Sequence, residues 1–261
     1  MDIISSTKNE KIKELAKLQT AKGRKKSGLY LIEGEHLVEE ALKEKALKEK
    51  ALIELIVVLS NRMEDYQYLL EQTEVQVLVV SQEVFQKLSM TETTQGILAA
   101  VKIENQTEPP CIGRIIVLDA VQDPGNLGTI VRTADAAGFD AVVLGVGTVD
   151  LYNDKVIRSM QGSHFHIPVF QANLQEYLPA LRDKGVEVAV TALHRDSKDY
   201  SILQGKSDIA IVVGNEGQGV SSEVIELADV VVTIPMFGKA ESLNVAIASA
   251  LLMYKTKETK E

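Results

Sequence analysis

The chain has 261 residues, of which 45% are hydrophobic and 25% charged, a composition typical of a soluble enzyme with one large or two ordinary domains. No apolar run approaches the length of a membrane span and residues 1–26 lack the apolar core of a signal peptide, so we expect a cytoplasmic protein. The single cysteine, Cys111, excludes an internal disulfide and any metal site built from several thiolates.

The net charge of −9 is distributed unevenly. Residues 1–26 hold eight basic side chains against three acidic ones, so the rest of the chain carries −14. A basic segment on an acidic body suits phosphate contacts, and Lys22, Arg24, Lys25 and Lys26 are its densest part. The alternative is a solvated helix face followed by a loose basic turn.

Residues 1–104 are predicted to form a compact α/β domain. Helical spacing predicts a first helix over residues 9–18, and the tandem Ala-Leu-Lys-Glu-Lys at 41–50 is predicted to be helical as well. We predict that Ser81 caps another helix. The predicted strands are residues 28–32, 53–59, 75–80 and 96–103. Nothing in this domain forms a catalytic constellation.

Residues 105–112, polar and containing two prolines, are predicted to be a linker to a second domain at 113–261. Strands alternate with helices there, so we expect a mainly parallel sheet with helices on both faces. The predicted strands are 114–120, 141–144, 168–170, 186–192, 209–213 and 230–234, and the predicted helices are 129–137, 154–160, 174–183 and 242–256.

Two apolar strands of this domain end in loops suited to a ligand. One loop begins at Gly214 and the other at Ile234, 20 residues later. Ligand sites in open α/β sheets lie at the carboxyl ends of strands, so the two loops are predicted to converge on one small molecule. Glycines allow the backbone to approach that molecule closely, and Pro235 stiffens the second loop.

A third polar turn, residues 123–128, follows the first strand of this domain. Asp123 or Asn126 could simply cap the following helix, with Arg132 on the surface, but the dense run Asp-Pro-Gly-Asn-Leu-Gly favours a functional cleft. No Gly-Lys-Ser/Thr follows and the G-x-G-x-x-G spacing is missing, which excludes a phosphate-binding loop and a dinucleotide fingerprint.

Three further polar residues have both a functional and a structural interpretation. Glu216 could face a ligand or cap the helix near Ser221, and Ser242 and Asn244 could face a ligand or start the closing helix. An extended segment would place His164 and His166 on opposite sides, so no shared metal site is predicted.

These motifs together resemble those of the SpoU (TrmH-like) RNA 2′-O-methyltransferases. The matching segments are 123–135, 214–219, 234–236 and 242–245, in the family's order, and residues 1–104 resemble the L30e-like substrate-binding domain of two-domain members.

The resemblance implies an α/β-knot fold, a homodimer with sites completed by both chains, and S-adenosylmethionine as cofactor. It implies 2′-O-methylation of structured RNA, with 23S ribosomal RNA favoured over tRNA. The alternative to an enzyme is an RNA-binding assembly factor that keeps the fold without the chemistry. By motif position, the resemblance assigns the cofactor to Gly214, Asn215, Gly219, Ile234, Met236 and Leu243, and the catalytic pocket to Asn126, Arg132, Glu216, Ser242 and Asn244.

The resemblance also nominates Arg132 as the proton acceptor for the ribose hydroxyl. A guanidinium has a pKa above about 12 and stays charged, which argues against a simple base. We therefore expect Arg132 to position the phosphate and the hydroxyl, with the proton leaving late or shared between groups.

Overall fold

The computed structural model describes residues 2–48, 52–104, 108–192 and 196–259. These residues form eleven strands and ten α-helices. None of the helices has the length and apolarity needed to cross a bilayer. The end of the tandem repeat, the start of the predicted linker and one isolated histidine lie outside the described residues.

The chain divides into two compact units. The first comprises Met1–Asn105 with Tyr152–Phe165, and the second comprises Gln106–Leu151 with His166–Glu261.

The segment Tyr152–Phe165, expected in the second domain, is part of the first unit. The rings of Tyr152 and Tyr30 lie 4.6 Å apart, and the Tyr30 hydroxyl is 3.0 Å from Nε2 of His164. Aromatic contacts of this kind depend on tertiary packing, so the strand and helix pattern along the sequence could not reveal them.

The first unit contains a mixed sheet with the spatial order β1-β4-β2-β3. β4 is antiparallel to β1 and β2, and β3 is parallel to β2. Its strands are β1 (Leu29–Glu33), β2 (Ile53–Leu59), β3 (Gln76–Val80) and β4 (Ile97–Lys102).

The second unit contains a seven-stranded sheet in which all neighbouring strands are parallel, with the order β7-β6-β5-β10-β8-β11-β9. Its strands are β5 (Arg114–Asp119), β6 (Ala141–Gly145), β7 (Val169–Ala172), β8 (Glu187–Thr191), β9 (Lys198–Asp199), β10 (Ile209–Gly214) and β11 (Val230–Thr233). Every residue of the central strand β10 is buried, which explains its continuous apolar run.

In chain order the helices are α1 (Glu10–Lys17), α2 (Ala21–Ser27), α3 (Glu35–Lys48), α4 (Gln67–Leu70), α5 (Gln82–Leu88), α6 (Pro124–Ala136), α7 (Asp154–Met160), α8 (Leu174–Asp183), α9 (Ser222–Ile225) and α10 (Val245–Lys257). Helices α1, α7 and α8 begin and end within one residue of their predicted bounds, and the helices that differ are described below.

Both faces of the second sheet are covered by helices, as predicted for the mainly parallel α/β class. Ile115 and Val117 pack in one core cluster with side chains of α8 and α9. Their neighbours Ile116 and Leu118 are buried on the other face, and on that side α10 contacts both β10 and α6.

Two helix starts differ from the prediction. α6 begins at Pro124 rather than at residue 129, because the Asp123 carboxylate accepts a hydrogen bond from the backbone N–H of Asn126 at 2.8 Å and a proline needs no N–H at the first helical position. α10 begins at Val245 rather than at Ser242. The predicted turn 123–128 is therefore largely the first turn of a helix.

Three further local details differ from the sequence-based expectations or alternatives. The basic residues after Thr20 form helix α2 instead of a loose turn, and β9 was not predicted. Ser163–Phe165 is a 3₁₀ turn, so the prediction that His164 and His166 alternate along an extended segment is wrong. Short elements like these have too few residues for a periodic pattern.

The carboxylate of Glu33 holds the loop between α5 and β4. It accepts hydrogen bonds from the Ser89 hydroxyl at 2.8 Å, the Met90 N–H at 2.9 Å and the Thr91 hydroxyl at 2.8 Å. Glu33→Gln is expected to lower the free energy of unfolding by about 1–3 kcal/mol, because a neutral amide accepts through one oxygen only. Urea unfolding beside the exposed control Glu74→Gln measures this, and equal values for the two variants would contradict it.

Candidate active site

A cleft of about 700 Å³ opens at the carboxyl ends of β8, β10 and β11. The loops that follow β10 and β11 line it together, as does the segment before α10. Its volume lies within the range of ligand pockets, about 300–1,000 Å³. Of the residues predicted to hold a cofactor, the cleft is lined by Gly214, Asn215, Gly219, Ile234, Met236 and Leu243.

The loop after β10 closes tightly on itself. Asn215 and Gly219 exchange two backbone hydrogen bonds, of 2.9 and 2.8 Å. A Cβ atom on Gly214 would overlap the backbone of Gly219 and Val220, so only glycine fits there. Gly219 has φ +73°, a left-handed conformation that glycine adopts without strain.

The side chain of Asn215 is used to build this loop. Its Oδ1 accepts hydrogen bonds from the N–H groups of Gly217 at 2.9 Å and Gln218 at 3.1 Å. Its Nδ2 donates to the carbonyl oxygen of Ala120 at 2.9 Å. Asn215 therefore shapes the cleft wall and ties it to the end of β5.

Asp119 and Ala120 were not singled out in the sequence, yet they clamp the loop at both ends. One carboxylate oxygen of Asp119 accepts hydrogen bonds from the N–H and the hydroxyl of Ser221, each 2.8 Å long. Ala120 has φ +55°, a conformation that costs a non-glycine residue about 1–3 kcal/mol. The one feature of the sequence that could have pointed to Asp119 is its position as an acidic residue directly at the end of the apolar strand β5.

Ser221 has the backbone conformation of a helix cap, but its side chain makes no capping hydrogen bond. Ser221 therefore occupies the N-cap position of α9, while its hydroxyl donates to Asp119.

Glu216 lies at the amino-terminal end of α6 rather than capping the helix near Ser221. Its carboxylate accepts hydrogen bonds from the N–H groups of Gln122 at 3.1 Å and Asp123 at 3.0 Å, and from Nδ2 of Asn126 at 3.0 Å. Partial burial acts to raise the pKa of Glu216, but these hydrogen bonds outweigh it and hold the pKa below its ordinary value.

Glu216, Asn126 and Asn244 form a continuous hydrogen-bonded row. Nδ2 of Asn244 donates to Oδ1 of Asn126 at 2.9 Å, while Oδ1 of Asn244 caps α10 by accepting from Ala246 N at 2.9 Å and Ile247 N at 3.3 Å. The row fixes both amide orientations and joins three segments distant in sequence, namely the β10 loop, the start of α6 and the start of α10.

The remaining predicted catalytic residues are placed differently. Ser242 is exposed and lines the cleft in the segment before α10. Arg132 lies on the exposed side of α6, outside the cleft lining, and makes no hydrogen bond or ion pair with the residues that the structure describes. A single chain thus brings together four of the five predicted catalytic residues and leaves Arg132 apart.

Of the four residues predicted to contact RNA, three are exposed and one is buried. Lys22, Lys25 and Lys26 are exposed on α2. Arg24 is buried, and its guanidinium donates a 2.9 Å hydrogen bond to the carbonyl oxygen of Leu18. The prediction for Arg24 is corrected accordingly, because a buried guanidinium that fastens α2 to the end of α1 cannot meet a phosphate.

The contribution of Glu216 to stability should depend on pH. Because its pKa is lower in the folded state than in the unfolded chain, this contribution is present above the ordinary pKa of 4.5 and is lost as the pH falls through the folded-state value. Because solvent screens the interactions of this exposed side chain, Glu216→Gln is expected to lower the free energy of unfolding by at most about 1 kcal/mol at neutral pH, and by less at an acidic pH below the folded-state pKa. Chemical denaturation at both pH values, beside the exposed control Glu226→Gln, measures this; a deficit independent of pH would contradict the assignment.

Comparison with known proteins gives matches over both parts of the chain. Residues 113–254 match the model of the SpoU rRNA Methylase family, and residues 9–99 match the MRM3-like substrate binding domain. The chain is 45% identical to the 23S rRNA (guanosine(2553)-2′-O)-methyltransferase RlmP of Bacillus subtilis (strain 168), over 97% of this chain and 98% of the relative.

Solved structures resemble the whole chain. An RNA 2′-O ribose methyltransferase is similar with a TM-score of 0.81 and 32% identity, over 98% of both chains. The AdoMet-bound rRNA methyltransferase of Sinorhizobium meliloti is similar with a TM-score of 0.84 and 29% identity, over 98% of this chain and 97% of that one.

Proposed function

This chain belongs to the SpoU rRNA Methylase family and is an RNA 2′-O-methyltransferase that uses S-adenosylmethionine; we propose that its substrate is 23S ribosomal RNA, at the guanosine equivalent to 2553 of the Bacillus subtilis relative. The substrate proposal is supported by the 45% identity to a 23S rRNA 2′-O-methyltransferase over 97% of this chain. The glycine-walled cleft, with the row Glu216–Asn126–Asn244 at its edge, supports the methyl transfer.

The lining of the cleft fits S-adenosylmethionine chemically. A Cβ on Gly219 would meet no atom within 4 Å, so the backbone is open to a ligand there. Ile234, Met236 and Leu243 offer apolar surface to a nucleoside, and the carboxylates of Glu216 and Glu241 favour a positively charged group. When bound, the cofactor supplies a methyl group on a cationic sulfur.

The chain's own residues would hold the ribose. We propose that Asn126, Ser242 and Asn244 hydrogen-bond the sugar and the phosphate beside it, with Glu216 keeping the Asn126 amide in one orientation. Holding the 2′-hydroxyl in line with the methyl group replaces a bimolecular encounter by a positioned one, which is the main catalytic gain available to such a site.

Arg132 would join the site through a homodimer. Helix α10, which packs on α6, exposes Ile247, Leu251 and Tyr254 at helical spacing, an apolar stripe that a second copy of the unit would cover. In that arrangement Arg132 of the partner subunit would reach this cleft and grip the phosphate next to the reacting ribose. We further propose the trefoil-knotted chain path that the family resemblance implies.

The first unit would recognise the RNA. Its match to a substrate binding domain and the exposed Lys22, Lys25 and Lys26 support this role, since lysines contribute sequence-independent phosphate contacts. With ribosomal RNA as substrate, the place of action would be the cytoplasm.

The test uses the full chain, labelled S-adenosylmethionine and RNA from cells that lack the gene. We expect label in 23S RNA at the guanosine named above, and a 2′-O-methyl group there only in cells that carry the gene. Label in tRNA instead would establish a tRNA enzyme. RNA binding without label would establish a non-catalytic assembly factor.

A further inference from the structure

Phe237 is the most exposed large hydrophobic side chain among the described residues, at 97% of its surface. Of the other phenylalanines, Phe85, Phe139 and Phe165 are buried and Phe170 is partly buried. Exposing an aromatic ring forgoes the stabilisation that its burial would provide, so an isolated exposed ring points to a binding role rather than to folding.

The ring stands beside the cleft. Phe237 follows β11, and it lies between Met236 and Glu241, both of which line the cleft. A Cβ on Gly238 would meet nothing within 4 Å, so this loop stands clear of the rest of the chain. Lys239, two residues further on, is also exposed. The aromatic ring of Phe237 and the ammonium group of Lys239 thus lie in one short loop next to the cleft entrance.

A nucleotide offers the matching pair of groups, a flat base and a phosphate. Aromatic side chains stack on bases that are splayed out of an RNA fold, and lysine meets phosphate as a point charge. A second protein copy suits the surface less well, because the apolar stripe of α10 is continuous along the helix, whereas Phe237 is the one exposed large hydrophobic residue of its own described loop.

We propose that Phe237 stacks on an RNA base next to the methylated ribose, with Lys239 facing a phosphate of the same strand. This inference rests on the proposed function and adds a substrate-contacting residue to it. The stack would hold the strand so that its ribose enters the cleft.

The experiment compares Phe237→Ala, Phe237→Leu, Phe237→Tyr and Phe237→Trp in the full chain, with an unmodified 23S RNA transcript. The Ala and Leu variants are expected to lose about 5- to 150-fold in kcat/KM for RNA, the range for a base stack, while Tyr and Trp keep it. The dissociation constant of S-adenosylmethionine should not change by calorimetry. Ile112→Ala is the matched control, because Ile112 is 71% exposed but precedes β5, at the amino-terminal ends of the strands and thus opposite the cleft.

Two results would overturn the inference. Full activity of Phe237→Leu would show that an aromatic face is not needed. A shift of Phe237→Ala toward monomer in sedimentation would show that a second copy covers the ring. If the wild-type chain transfers no methyl group, the proposed function fails, yet the RNA dissociation constants of the same variants still decide the inference about Phe237.

Discussion

Gly214→Ala is expected to weaken S-adenosylmethionine binding by at least about 100-fold, equivalent to about 2.7 kcal/mol. The added Cβ would overlap backbone atoms of Gly219 and Val220, so the loop after β10 has to open. Opening it breaks the paired backbone hydrogen bonds between Asn215 and Gly219. The ligand then has to order this loop when it binds, and the free energy of ordering is lost from the binding affinity.

Calorimetry with S-adenosylmethionine and with its demethylated product measures this effect. The control is Gly238→Ala, where the added Cβ meets nothing within 4 Å, and it should bind like the wild type. Thermal unfolding of both variants establishes that the fold is retained. Wild-type affinity in a folded Gly214→Ala protein would refute the assignment of this loop to the cofactor.

Arg132→Lys is expected to lower kcat by about 100-fold or more while leaving the affinity for S-adenosylmethionine unchanged. Lysine keeps the charge but loses the planar fork that grips a phosphate through two hydrogen bonds. Misplacing the reacting ribose by about 1 Å is enough to cost about 100-fold in rate. Because Arg132 lies outside the cleft of its own chain, the same variant also tests the dimeric site.

Single-turnover methyl transfer at saturating RNA separates this effect from RNA binding. Arg182→Lys is the control. That guanidinium forms an ion pair at 2.8 Å with Asp229, which directly precedes β11, so the pair lies at the amino-terminal ends of the strands and away from the cleft. Near-normal kcat in Arg132→Lys would exclude bidentate positioning as its role. Activity restored by mixing Arg132→Lys with a Glu216→Gln variant would establish that the two chains share one site.

The sequence by itself determined the class of fold and the place of the cleft. Continuous apolar runs such as Ile209–Gly214 identify strands buried on both faces, and the carboxyl ends of parallel strands meet at one edge of a sheet. The motifs at Asn126, Glu216 and Asn244 lie at those ends and can be read without coordinates. Local pattern carries this information because each strand, cap and turn depends on a few neighbouring residues.

Only the tertiary structure decided which of these groups touch. The sheet order places β10 beside β5, and this pairing brings Asn215 to Ala120 and Ser221 to Asp119, partners about a hundred residues apart along the chain. The burial of Arg24 and the separation of Arg132 from the cleft were also decided at this level. Periodicity records which face of an element is buried but not which element covers it, so contacts between distant segments have no signature in a single sequence.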